Sequence, residues 1–272
     1  MEIWLLDTIR AGGLLDAEQA RHPRLAGDDA SRLEGTDERL LARRRAHIAL
    51  RCLLTRVTGD GRCDGVAFCR TPAGKPMLPA PLPAFSLSHS GGYALLAAAG
   101  AGDGIVSVGV DVEGHRDLRL DDHRRRRLVV AGAKIAGGRP VPIVHDDEAV
   151  LQAFVRIEAC AKALGIGVMR LLTLLGVMGG DDMAPDQRAA LAPAIAELVS
   201  VAWAHEDGAA LPSLSIGDVE LPPHGGDTLK GAVAYLGSAS GWAEGPSKAL
   251  VARRFPETAD DLQAFFSSSF DG

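Results

Sequence analysis

Polar and apolar residues alternate one by one over Val106–Glu113, with Val106, Val108, Val110 and Val112 set against Ser107, Gly109, Asp111 and Glu113. A strict period of two predicts a half-buried strand whose polar face carries both acids. A different rhythm governs residues 36–57, where Ala46, Ala49, Leu50, Leu53 and Leu54 follow the i, i+3, i+4, i+7, i+8 spacing of an amphipathic helix. Thr36 is its expected cap, and Asp37 and Glu38 suit its first turn. Residues 147–165 repeat that rhythm through Val150, Phe154, Ile157, Ala161 and Leu164, with Asp147 as the expected N-cap. Two short strand-compatible runs, one from Phe85 and one through Tyr93–Ala99, flank a Ser-His-Ser-Gly-Gly turn and predict a hairpin. Further on, the pattern predicts an Ala-rich helix over 185–204, strands over 213–221 and 231–236, and a short helix over 257–266.

Composition narrows the picture. The chain has 272 residues, 47% of them hydrophobic and 4% aromatic, so a core of Ala, Leu and Val suffices for one large unit or two smaller ones. A net charge of −6 argues against a general nucleic-acid binder. The run around Val168–Gly180 is interrupted by Arg170 and too short to span a bilayer. The four cysteines form no CxxC pair and no zinc spacing with histidine, and the first residues do not read as a secretory leader. The expectation is a cytoplasmic protein that engages neither nucleic acid nor membrane.

Five features are candidates for chemistry. Asp111 and Glu113 share a strand face roughly 6.5–7 Å apart, a spacing that can hold a hard cation, with Gly109 leaving room for a ligand to approach. Glu158 and Lys162 lie at i, i+4 on one helix face, as a helix salt bridge or as a third carboxylate with a phosphate-binding lysine. Ser88 and His89 sit beside a glycine turn able to cradle an anion. Arg44, His47 and Arg51 form a basic helix stripe, with Arg43 beside it, and Lys75 is presented between Gly74 and Pro76. Each has a plainer reading: a solvated face, a self-satisfied hairpin, an ordinary loop.

Taken in order, the Arg-rich helix, Gly-Lys-Pro-Met-Leu (74–78), Phe-Ser-Leu-Ser-His-Ser-Gly-Gly (85–92), Val-Gly-Val-Asp-Val-Glu (108–113) and Phe-Val-Arg-Ile-Glu-Ala-Cys-Ala-Lys-Ala-Leu-Gly (154–165) resemble the 4′-phosphopantetheinyl transferase superfamily, in its monomeric, pseudo-dimeric surfactin-synthetase-activating type. The resemblance spans roughly residues 36–175. It implies an α+β fold of two similar halves with the site in the cleft between them, divided as 1–104, 105–240 and a C-terminal extension 241–272.

It further implies a Mg²⁺-dependent enzyme that moves the phosphopantetheine arm of coenzyme A to a serine of an apo acyl or peptidyl carrier protein, releasing 3′,5′-adenosine diphosphate. By the same resemblance Asp111, Glu113 and Glu158 would hold the metal, with Glu158 and Lys162 catalytic. Arg44, Arg51, Lys75, Ser88 and His89 would bind coenzyme A. The chain departs from the family pattern at Ile157, where a lysine is usual, at Ser86 in place of Asn, and at His47 in place of Arg. Ile157 motivates an alternative, a diverged noncatalytic module that binds coenzyme A or a carrier. A Mg²⁺-dependent phosphohydrolase would use the same carboxylates.

Overall fold

The computed structural model describes residues 1–71, 74–114, 120–136, 146–178, 213–225, 228–237 and 250–268. The helix expected over 185–204 lies outside the described residues. The rest is a mixed α/β structure built on two four-stranded sheets.

In the first sheet, strand β1 (Glu2–Asp7) pairs antiparallel with β5 (Tyr93–Ala99), which pairs in turn with β4 (Ala84–Ser90). Gly91, at φ +57°, closes the tight turn between β4 and β5, so the expected hairpin forms. Helix α1 (Gly12–Arg21), helix α2 (Gly27–Arg32) and the long helix α3 (Glu38–Thr58) come between β1 and a small ribbon of β2 (Cys69–Arg70) and β3 (Pro76–Met77). Asp37, not Thr36, caps α3: its carboxylate accepts from the amides of Arg39 and Leu40. The apolar stripe of α3 packs on the sheet with Trp4, Leu6, Phe85, Ala94, Leu96 and Ala98.

The second sheet begins at β6 (Ile105–Gly114), pairs it with β8 (Leu229–Gly237), and then β8 with β7 (Ser213–Glu220), all antiparallel. Helix α4 (Asp122–Ile135), helix α5 (Asp147–Leu164) and helix α6 (Val168–Leu174) precede β7. Asp146 caps α5 in place of the expected Asp147, and Gly165 ends it in the left-handed conformation. In each sheet the first strand pairs with the last, and the last with the middle one, after an intervening helix: β1–β5–β4 and β6–β8–β7.

Two expectations change here. β6 is buried on both faces from Ser107 to Val112, not on one. Val108, Val110 and Val112 join Ile3, Leu5, Leu95 and Ala97 in a cluster between the sheets, while Ser107, Gly109 and Asp111 face α5. Gly109 therefore makes room for a helix and not for a ligand: a Cβ there would overlap the Ala159 carbonyl oxygen and the Ala163 amide nitrogen.

The segment expected as an extension is instead woven into both sheets. β9 (Leu250–Val251) adds parallel to β7, and β10 (Arg253–Arg254) adds parallel to β1. Helix α7 (Ala259–Ser267) follows, and Phe255, Leu262 and Phe265 enter the first core against Trp4. No helix among the described residues is long and apolar enough to cross a membrane.

Candidate active site

The two sheets meet where β4 runs beside β6. Three serines on one face of β4 do the joining. Ser86 Oγ accepts from the Val110 amide at 3.0 Å, and Ser90 Oγ accepts from the Gly114 amide at 3.2 Å. Between them Ser88 donates to Asp111 Oδ1 at 2.6 Å, and Ser90 donates to Glu113 Oε2 at 2.8 Å. Hydroxyls thus satisfy β6 amides that a neighbouring backbone would otherwise have to meet. The period-two geometry that turns Ser88 to this seam turns His89 to the opposite side.

Asp111 is 1% exposed. From α5, Lys162 Nζ reaches its Oδ1 at 2.7 Å and Ser88 Oγ at 2.9 Å. Asp111 Oδ2, by contrast, is buried with no hydrogen-bond partner. Glu158, one turn before Lys162 and 3.9 Å from its ammonium, stands against Asp111. Burial first, and then the Asp111 carboxylate, push the Glu158 carboxyl up to about 7, with Lys162 opposing and Glu113 adding to the rise. Two acids are therefore crowded in a place where a proton on Glu158, shared with Asp111, or a cation would satisfy the open lone pair.

Asp111, Glu158, Lys162 and Ser88 thus lie together in one cluster. Glu113 lies two residues along the same strand, with Ser90 as its hydrogen-bond donor. No group of three or more His, Cys, Asp or Glu side chains among the described residues converges as a ready-made metal shell. The donor chemistry nevertheless fits a hard cation. An orphaned carboxylate oxygen and a neighbour that resists ionisation are what a divalent ion would relieve.

Beside this cluster lies a cavity of about 460 Å³. Lys162 forms part of its wall and so belongs to both. Arg32, Arg43, Arg70, His47 and His89 supply cationic and imidazole groups, while Leu50, Phe68, Phe85, Leu87 and Ile166 supply apolar surface. Among the described lining residues the acidic one is Asp29, whose carboxylate is committed to Arg51 at 3.3 Å. Burial pulls the His47 imidazole down to about 4, with Arg43 and Arg51 adding to the fall against Asp29. Burial and Arg43 likewise lower His89. Both rings are neutral donors or acceptors at neutral pH, and the charge facing a ligand comes from the guanidiniums and Lys162.

Three expected cofactor ligands stand elsewhere. Arg51 is 0% exposed and spends its guanidinium inside the protein. It donates to the Cys63 carbonyl at 2.6 Å and the Val66 carbonyl at 2.7 Å, and it lies over the Phe68 ring at 3.9 Å. Arg44 is half-buried and does not line the cavity; Arg43 does. Lys75 reaches the cavity wall, but its ammonium turns inward to Ser107 Oγ and to the carbonyls of Val108 at 2.9 Å and Ala163 at 3.3 Å. The signal for Arg51 was its setting: Ala49, Leu50, Cys52, Leu53 and Leu54 all around it are buried.

The departure at Ile157 has a clear outcome. Its side chain is 0% exposed in the core of the second half. Arg156 does not replace the missing cation, because it grips Asp218 of β7 through two bonds of 2.7 and 2.6 Å.

No family model matches the chain, and no curated protein matches it.

Proposed function

We propose that the chain is a 4′-phosphopantetheinyl transferase, loading the phosphopantetheine arm of coenzyme A onto a serine of an acyl or peptidyl carrier protein. One observation carries the reading: Asp111, Glu158, Lys162 and Ser88 meet at the seam of two sheets, directly beside a cavity rich in guanidiniums. The repeated strand order of the two sheets supports the expected architecture of two similar halves around one site.

The chemistry follows from these side chains. Asp111 and Glu158, with Glu113 nearby, would hold Mg²⁺; bound there, the ion supplies neutralisation of pyrophosphate charge. Arg43, Arg32 and Arg70 offer planar forks suited to phosphate oxygens. Lys162 reaches from the cavity wall to the carboxylates and can follow charge that develops on a leaving phosphate. Glu158 would offer a carboxylate oxygen, within the cluster and beside Lys162, to take the proton of an incoming serine hydroxyl. The apolar part of the cavity suits the uncharged portion of a nucleotide-like substrate.

The test is mass spectrometry of a panel of apo carriers incubated with coenzyme A and Mg²⁺. Gain of the phosphopantetheine mass, lost in Asp111→Ala, supports the transferase. Binding of coenzyme A without any mass gain across the panel would point to the noncatalytic module, a reading favoured by the burial of Ile157. Consumption of coenzyme A without an acceptor would point to a phosphohydrolase.

A further inference from the structure

Lys75 looks from the sequence like a residue offered to a ligand by a turn, yet its ammonium is turned into the protein onto three acceptors. Ser107 Oγ and the Val108 carbonyl come from β6, and the Ala163 carbonyl comes from the last turn of α5. Ser107 also donates to the Ala163 carbonyl at 2.6 Å, so lysine, serine and helix end form one chain of hydrogen bonds. The Ala163 carbonyl is among the orphan acceptors that every helix leaves at its C-terminus, where the helix dipole favours a cation. Here that cation arrives from the other half of the molecule. The stem of Lys75 packs against Gly165, within 3.6 Å of where a Cβ would stand. Burial pushes the amine down to about 7, with no carboxylate among the causes, as expected of a group removed from both water and counter-ion.

We infer that Lys75 is a positioning residue: it fastens the cavity wall of the first half to β6 and to the C-terminal end of α5, and it does not itself bind an anion. Through α5 it sets the register of Glu158 and Lys162 against Asp111: Lys162 directly precedes the fastened Ala163, and Glu158 lies one turn before Lys162. This goes beyond the transferase reading and holds whatever ligand the cavity takes.

The test compares Lys75→Met, Ser107→Ala and the double variant of the full chain without ligand. Methionine keeps the stem and removes only the ammonium. Amide exchange at Gly165 and Ile166, which close the end of α5, should speed up about tenfold in Lys75→Met. Urea midpoints of the two single variants should be non-additive, because both break the same chain of bonds. In a Cys69→Ser background, Lys75→Cys alkylated to the aminoethyl thioether restores an ammonium of similar reach and should restore slow exchange. Pyrophosphate is the anion probe, and its affinity should stay within about twofold of the parent in Lys75→Met, with an unchanged salt dependence. Additive midpoints with unaltered exchange would overturn the proposal. So would a large loss of pyrophosphate affinity with a flatter salt dependence, which would make Lys75 an anion ligand.

Discussion

The two four-stranded sheets share a strand order and a way of framing their main helix, but they differ in the buried charge they keep and in how it is met. Both α3 and α5 start on an aspartate cap and end on a left-handed glycine, Gly59 or Gly165. In the first half the deepest charge is Arg51, and it has protein acceptors on the Cys63 and Val66 carbonyls and on Asp29. In the second half the deepest charge is Asp111, and one of its oxygens has no partner while a second acid is pressed against it. Burial lowers the pKa of the Arg51 guanidinium and its Nε has no partner, yet its other nitrogens find acceptors; Asp111 instead shares its setting with a second acid, which a cation or a proton between them would relieve. Similar frames thus surround a mostly paired cation beside one sheet and two crowded acids beside the other.

The strongest way to break this comparison is Ile157→Lys. If the second half simply lacked a cation its site wants, the lysine would be tolerated. At 0% exposure it should instead cost about 4 kcal/mol or more, as an unpaired charge in the core, read by urea unfolding. Next is a pair of substitutions with opposite signs. Arg51→Met should destabilise by about 3 kcal/mol, since three acceptors lose their donor. Asp111→Asn should leave stability unchanged or raise it, because its amide can donate where the orphan oxygen could not, while carrier loading is lost. Equal losses in both variants would mean that Asp111 is as well satisfied as Arg51.

A smaller effect is the pH dependence. The Glu158 carboxyl titrates at about 7 in the fold, against an ordinary value of 4.5. Its raised value means that folding favours the protonated form, so its contribution is intact below 4.5 and disappears as the pH rises through 7. With chelator present, Glu158→Gln should gain on the parent across that window, and Mg²⁺ should narrow the gap. A difference in urea midpoint that is flat with pH would refute the crowding of the two acids. The smallest expected effects are the caps. Asp37→Ala and Asp146→Ala should each lose about 1 kcal/mol, and a clear inequality would show that the two helices are not framed alike.

The parts legible in the sequence were those with a local rhythm. The stripe of α3, the stripe of α5 and the alternation of β6 each gave an element within a few residues of its place. β1 escaped notice because Glu2–Leu6 are buried on both faces and show no alternation. Gly109 was misread for a related reason: period two shows which residues share a face, not whether solvent or a helix covers it. Spacing put Glu158 and Lys162 on one helix face, but that this face meets Asp111 depends on α5 packing against β6, which spacing does not show. The role of Ser86 and Ser90 could not, because serines standing in for a neighbouring strand are visible only once β4 and β6 lie side by side. Arg51 and Arg43 differ by which side of α3 the apolar floor covers, and that is decided by Phe68 and the Cys63–Val66 segment.

The strands β9 and β10 have a consequence for how the molecule is made. Residues 250–254 complete the edge of one sheet at Glu220 and of the other at Trp4, and Arg56 reaches across 209 positions to the Phe265 carbonyl. During synthesis the first half leaves the ribosome with an open edge on β1, and the second with one on β7. Such edges invite pairing with other chains until they are covered. Neither edge gains this cover until the same short segment, later in the chain than both, has emerged, so a nascent protein that still lacks it is the more exposed to aggregation.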